Sequence, residues 1–173
     1  MNELTTAEIA SLLRASAAQL RAEIEALPGE VVAWHPAPGE WCAKECIGHL
    51  IEAERRGFAG RVRYLLENDG NPALTSWDQT EVARSRHDCA ADARALLDEF
   101  LAAREASVAL VESLGSDDLE RGGEHPEVGH LTVGEVVAEW VHHDRNHVKQ
   151  VMSNSQARIW GQMGTAQRFS LPR

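Results

Sequence analysis

Apolar residues return at helical spacing in four long segments of this chain, and no segment carries convincing strand alternation. Leu13, Ala17, Leu20, Ile24 and Leu27 recur in alternating steps of four and three, which predicts an amphipathic helix over about residues 6–27. Thr5 with Glu8 offers a capping box at its start, and Pro28 with Gly29 stops it. After a loop rich in helix breakers (36–39), Ile47, Ile51, Phe58, Val62 and Leu65 mark the inner side of a second helix, 42–68. A third helix, 89–114, carries Leu96, Phe100, Ala103, Ser107, Leu110 and Leu114 on one stripe. The fourth, 132–153, opens on a second capping box, Thr132 with Glu135. The connector 73–87 reads as irregular with a short turn after Trp77, and 122–126 reads as a loop.

Four helices of this length predict an all-α fold, a four-helix bundle. The reading is one domain over 1–173, with 154–173 as a C-terminal strap or short helix anchored by Ile159, Trp160 and Phe169.

Composition narrows the function classes. A formal net charge of −10 disfavours nucleic acid and anionic membrane surfaces as partners. No apolar run reaches the roughly 20 residues of a membrane span, and the first residues lack a signal pattern, so a cytoplasmic location is expected. Three scattered cysteines do not make a disulfide framework and read as thiols.

The most chemical feature is His143 and His147 in the fourth helix. An i,i+4 pair places two imidazoles on one face. A third ligand must come from another helix, and His49 in the second is the best placed. Three neutral imidazoles would hold a divalent cation with an open position, an arrangement suited to catalysis more than to structure. Glu45, Glu139 and Gln150 lie within a turn of these histidines and are candidates to orient an imidazole or act as a base; Glu52 is a further candidate base. The bland alternative, a solvated face with two histidines, stays open. His142 points elsewhere, and His35, His87, His125 and His130 fall in loops and are not expected as ligands. Cys42, Cys46 and His49 share one helix side and form a rival mixed site, although small core or cap residues explain the cysteines better. No nucleophile elbow supports a serine hydrolase.

Two blocks of residues carry a resemblance. Pro36, Pro38, Gly39, Glu40 and Trp41 precede Glu45, His49, Leu50 and Glu54; His125, Pro126, Gly129, Leu131, Thr132 and Glu135 lead into His143, Asp144, His147 and Gln150. In order and separation they resemble the DinB/YfiT-like superfamily. The resemblance implies an up-down-down-up bundle with a long crossover, a divalent metal (zinc or nickel) on His49, His143 and His147, and a homodimer. It also implies a small-molecule substrate. Members of the superfamily include S-transferases using low-molecular-weight thiols such as mycothiol or bacillithiol, mycothiol-dependent isomerases, and hydrolases. One departure is Cys42, where the family usually has a helix-capping serine.

Three functions follow as expectations. The first is a thiol S-transferase, with Arg55, Arg56, Arg61 and Arg63 available to an anionic substrate. The second is a hydrolase using a metal-bound water. The third is a non-enzymatic, metal-stabilised stress or binding protein. The tryptophans Trp34, Trp77 and Trp160 are assigned to core, loop or partner packing.

Overall fold

A computed structural model describes residues 4–171. The first bundle helix is α1 (Thr6–Glu25), opened by the Thr5–Glu8 capping box. After a single turn, α2 (Gly29–Val32), the second bundle helix is built from three consecutive pieces. They are α3 (Ala43–Glu52), a π-helical turn (Ala53–Gly57) and α4 (Ala59–Glu67). The π turn is closed by the Phe58 N–H donating to the Ala53 carbonyl at 2.8 Å. Gly60 makes it possible: a Cβ there would stand 2.1 Å from the Arg55 carbonyl oxygen.

The connector to the third helix is not irregular as expected. It carries α5 (Gln79–Arg86), capped by Asp78, and a 3₁₀ turn (Asp88–Ala90). None of the residues of α5 is buried, so no apolar stripe announces it. The third bundle helix, α6 (Ala93–Ser113), starts at the Asp92 cap, four residues later than the sequence suggests. A short α7 (Ser116–Glu120) follows. Residues 122–126, expected as loop, instead begin an antiparallel hairpin, β1 (Gly122–His125) with β2 (Gly129–Thr132). Strands of four residues are too short to show alternation. The last bundle helix, α8 (Val133–Trp160), runs past the expected end near 153 and passes into 3₁₀ turns over Gly161–Phe169.

Side-chain pairs fix the helix directions. On α1 and α6, Arg14 meets Glu112 and Glu25 meets Arg94, so these helices run antiparallel. Gln19 and Glu23 of α1 meet Arg145 and Ser155 of α8, a parallel pair. Trp41, His49 and Phe58 meet Asn154, His143 and Trp140, so the second bundle helix runs against α8. The order is therefore up, down, down, up, and residues 68–92 cross between the two parallel helices.

The most deeply buried charges of the core meet in one network. Arg104 of α6 is buried, 2 % exposed, and bonds Glu54 of the π turn and Asp144 of α8, themselves 2 % and 0 % exposed. Its Nε donates to Glu54 Oε1 at 2.8 Å, one terminal nitrogen to Asp144 Oδ1 at 2.9 Å, and the other to the Leu13 carbonyl of α1 at 3.0 Å. Trp140 Nε1 also donates to Glu54 Oε1, at 3.2 Å. All four bundle helices meet in this network. Among the described residues, no helix is long and apolar enough to cross a membrane.

Candidate metal centre

The bundle brings His49 of α3 to His143 and His147 of α8. One ring nitrogen from each lies within 4.8 Å of the other two, and His49 Nε2 stands 3.0 Å from His143 Nε2. Two nitrogens at 2.0–2.1 Å from a common ion would be separated by roughly 3.0–3.4 Å, so this spacing suits shared ligation. His147 Nδ1 is held by Gln150 Oε1 at 2.9 Å, which leaves its Nε2 for the cluster.

Electrostatics keep the rings in the ligating form. Burial pushes His49 down to about 4, with His147 adding to the shift. Burial, together with the other two histidines, pushes His143 down to about 3. Burial also lowers His147, while Gln150 and Asp144 pull the other way. All three imidazoles are therefore neutral at pH 7, each with a lone pair for a cation. The Nδ1 atoms of His49 and His143 are buried without a partner, a cost of about 1–3 kcal/mol for each stranded polar group. The fold bears this cost while pointing both Nε2 atoms inward, and a divalent cation there would draw on three prepared nitrogens.

Aromatic rings wall the cluster. Trp41 lies 5.0 Å from the His49 ring and stacks on His147 at 6.2 Å; Trp77 stacks on His49 at 5.9 Å. Phe58 meets His143 edge-on at 5.0 Å and is backed by Trp140. Sequence reasoning left Trp77 to general packing; its place beside His49 depends on the path of the crossover, which carries no local signal. Trp34 packs under Arg158, away from the cluster, and Trp160 is partly exposed at the end of α8.

The expected helpers separate. Gln150 touches the site. Glu45 does not orient His49: its Oε2 accepts from the Cys42 N–H at 2.8 Å and contacts His35 Nε2 at 2.9 Å. Glu139 does not reach His143; it is exposed and lies 3.8 Å from His142 on the outer face. Glu52 is no free base, because Arg56 and Arg86 hold its two oxygens at 2.6 and 2.7 Å. Arg104 was missed, and Glu54 and Asp144 were noted only as motif residues without a role; the signal for all three was charge inside apolar stripes: Phe100–Arg104–Val108, Leu50–Glu54–Phe58 and Trp140–Asp144–Val148.

Arg55, Arg56 and Arg61 line a cavity of about 300 Å³, with Arg56 over the Trp77 ring at 5.7 Å. A second cavity, about 660 Å³, is lined by Phe58, Arg61 and His125. Arg63 lines neither and is exposed. His125, expected in a loop, is buried on β1 and contacts Arg61 at 3.1 Å. A larger cavity of about 790 Å³, between α1, α7 and α8, is lined by none of the three clustered histidines.

The sequence model of the DinB superfamily matches residues 12–151, from the second turn of α1 to late α8. The chain belongs to the DinB superfamily. A relative from Oceanobacillus iheyensis, provisionally named a metal-dependent hydrolase, is 23% identical over 122 residues, covering 70% of this chain and 69% of its own. The DinB-like bundle also superposes on YfiT from Bacillus subtilis, described as a probable metal-dependent hydrolase with an unusual four-helix bundle topology. The TM-score is 0.81 at 18% identity, covering 92% of this chain and 93% of the other. The DinB fold is thereby shown, and metal dependence is the property for which both relatives are named.

Proposed function

We propose that this chain is a metal-dependent enzyme acting on a small molecule, with His49, His143 and His147 as ligands, and that it transfers a low-molecular-weight thiol to an electrophile. The observation that carries the reading is the chemistry around the three imidazoles. They are neutral and walled by Trp41, Trp77 and Phe58, and the carboxylates of Glu52 and Asp144 are held by arginines. A divalent cation on three imidazoles acidifies a thiol or water at its open position, so thiol activation needs no protein base.

The chain's own residues set the rest. Gln150 holds the His147 tautomer through Nδ1. Trp41, Trp77 and Phe58 exclude water and present an apolar surface to the electrophile. Arg56 and Arg61 give the neighbouring cavity a positive edge suited to a carboxylate-bearing thiol, with Arg55 and Arg56 partly neutralised by Glu99 and Glu52. The thiol sulfur bonds to the electrophilic carbon, and the thiol proton leaves with the displaced group.

The test is turnover of a chromogenic electrophile with a panel of cellular thiols, using metal-loaded protein. Thiol-dependent turnover that disappears in His143→Ala, with far-UV circular dichroism unchanged, supports the reading. Absence of turnover with every thiol refutes it. Hydrolysis is the second reading, favoured by the names of the two relatives. Cleavage of a neutral ester without added thiol separates it from the first.

A further inference from the structure

Cys42 was weighed with Cys46 as a pair on one helix side, but the structure gives it a different partner. Cys46 points into the apolar core, where burial pushes its thiol up to about 12. Cys42, at the N-cap of α3, instead meets Cys89 of the crossover and His35 of the preceding loop. One ligand atom from each lies within 4.8 Å of the other two. Three separate stretches of chain thus deliver two sulfurs and one imidazole to one point.

Each stretch is held there by contacts of its own. The turn carrying Cys89 is tied to α3 by Lys44, whose Nζ donates to the carbonyls of Cys89 and Ala91 at 3.0 and 2.7 Å. Gly48 allows that close approach, since a Cβ at Gly48 would stand 1.7 Å from Asp88 Oδ2. Asp88 is in turn gripped by Arg86 at 2.7 Å. Glu45 orients the third ligand: with its carboxylate on His35 Nε2, the ring proton sits at Nε2 and the Nδ1 lone pair is free. A carboxylate behind an imidazole is the usual support of a metal-ligating histidine. The His35 side chain is 43% exposed, which leaves a path from solvent.

We propose that Cys42, Cys89 and His35 form a second metal site, thiolate-based and selective for a zinc-class divalent ion, distinct from the three histidines. Two thiolates and one imidazole suit a borderline-soft cation, and a solvent molecule can complete a tetrahedron. Binding converts two thiols and a free divalent ion into a dithiolate complex and releases two protons to solvent. Without the ion Cys42 is a poor nucleophile, because burial raises its thiol well above the ordinary range. The ion would also brace Trp41, the neighbour of Cys42 that stacks on His147.

Cobalt titration of the reduced full chain tests this, because only sulfur ligation produces a strong near-ultraviolet thiolate-to-cobalt band. The band is expected in the wild type and in His143→Ala, and is lost in Cys42→Ser and Cys89→Ser. Serine is a favoured N-cap, so Cys42→Ser keeps α3, as unchanged circular dichroism will show. Zinc content should fall by one equivalent in Cys42→Ser and by a different equivalent in His143→Ala. Glu45→Gln should weaken cobalt at the cysteine site by about 10–100-fold. A reduced wild type with no thiolate band overturns the proposal, as does loss of the band in His143→Ala. Either result leaves the three-histidine reading to its own metal count.

Discussion

Replacing Arg104 by methionine would test the network that ties the four helices together. The side chain makes three charge-assisted contacts at 2.8–3.0 Å, with further close contacts to Glu54 and Asp144, inside a core where both carboxylates are almost fully covered. Methionine has similar length and fills the space, so the loss is electrostatic. Two carboxyl groups would face each other without their cation. Removing one partner of a buried ion pair costs about 3–5 kcal/mol. For a domain of this size that corresponds to a fall in Tm of about 6–20 °C. Burial already pushes Glu54 above the usual carboxylate range, and Arg104 is what opposes it. In the variant, the folded-state value of Glu54 rises further above its unfolded value. The proton-linked stability is then present at low pH and lost as pH rises through the folded value. Urea midpoints of Arg104→Met and wild type should therefore diverge near pH 7 and converge toward pH 4. Adding Glu54→Gln and Asp144→Leu should recover most of the loss, since a buried triad replaced by neutral groups is often tolerated. A deficit below about 1 kcal/mol, or one that ignores pH, would refute the reasoning.

Gly48→Ala should destabilise the fold by about 1–3 kcal/mol, because the new methyl group meets the Asp88 carboxylate that Arg86 holds in place. In an Asp88→Ala background the same substitution should cost less, and equal costs in a double-mutant cycle would contradict the contact. Metal-free protein should lose stability on acidification below pH 6.5. His49 and His143, with folded values of about 4 and 3, bind protons less readily than the unfolded chain does, so the stability present above 6.5 is lost as pH falls. At pH 5 the loss is about 2 kcal/mol for each ring, and a flat chevron-derived stability between pH 7 and 5 would contradict it. Gln150→Ala should weaken metal binding at the histidine cluster by about 10–100-fold in a chelator competition while leaving the helical signal unchanged.

Much of the fold was legible because the bundle helices are striped and capped. Leu13, Ala17, Leu20 and Ile24 are all buried, and the Thr5–Glu8 and Thr132–Glu135 boxes form as read. What escaped lacked a periodic signal. The α5 helix buries none of its residues, the hairpin strands are four residues long, and nothing in the stripe of the second helix marks a π turn. At the site, the i,i+4 spacing of His143 and His147 and the reach of Gln150 follow from helix geometry alone. The destinations of Glu45 and Glu139 do not, because each has a competing partner, His35 in one case and solvent with His142 in the other. Cys42 and Cys89 are brought together only by the course of the crossover, which no local pattern encodes.

The π-helical turn at Ala53–Gly57 has a consequence for anyone splicing this helix into another bundle. Each residue of an α-helix advances the chain by about 100°. Winding these five positions as ordinary α-helix, with no residue removed, would twist everything downstream against everything upstream by nearly that angle, whereas deleting one of them would keep the two halves close to their present phase. His49 lies on one side of the joint and Phe58, which covers His143, lies on the other. The five residues thus act as a phase key between two independently indexed half-helices. A chimera that crosses over inside them will mismatch one half to its neighbours even when every individual contact residue has been kept.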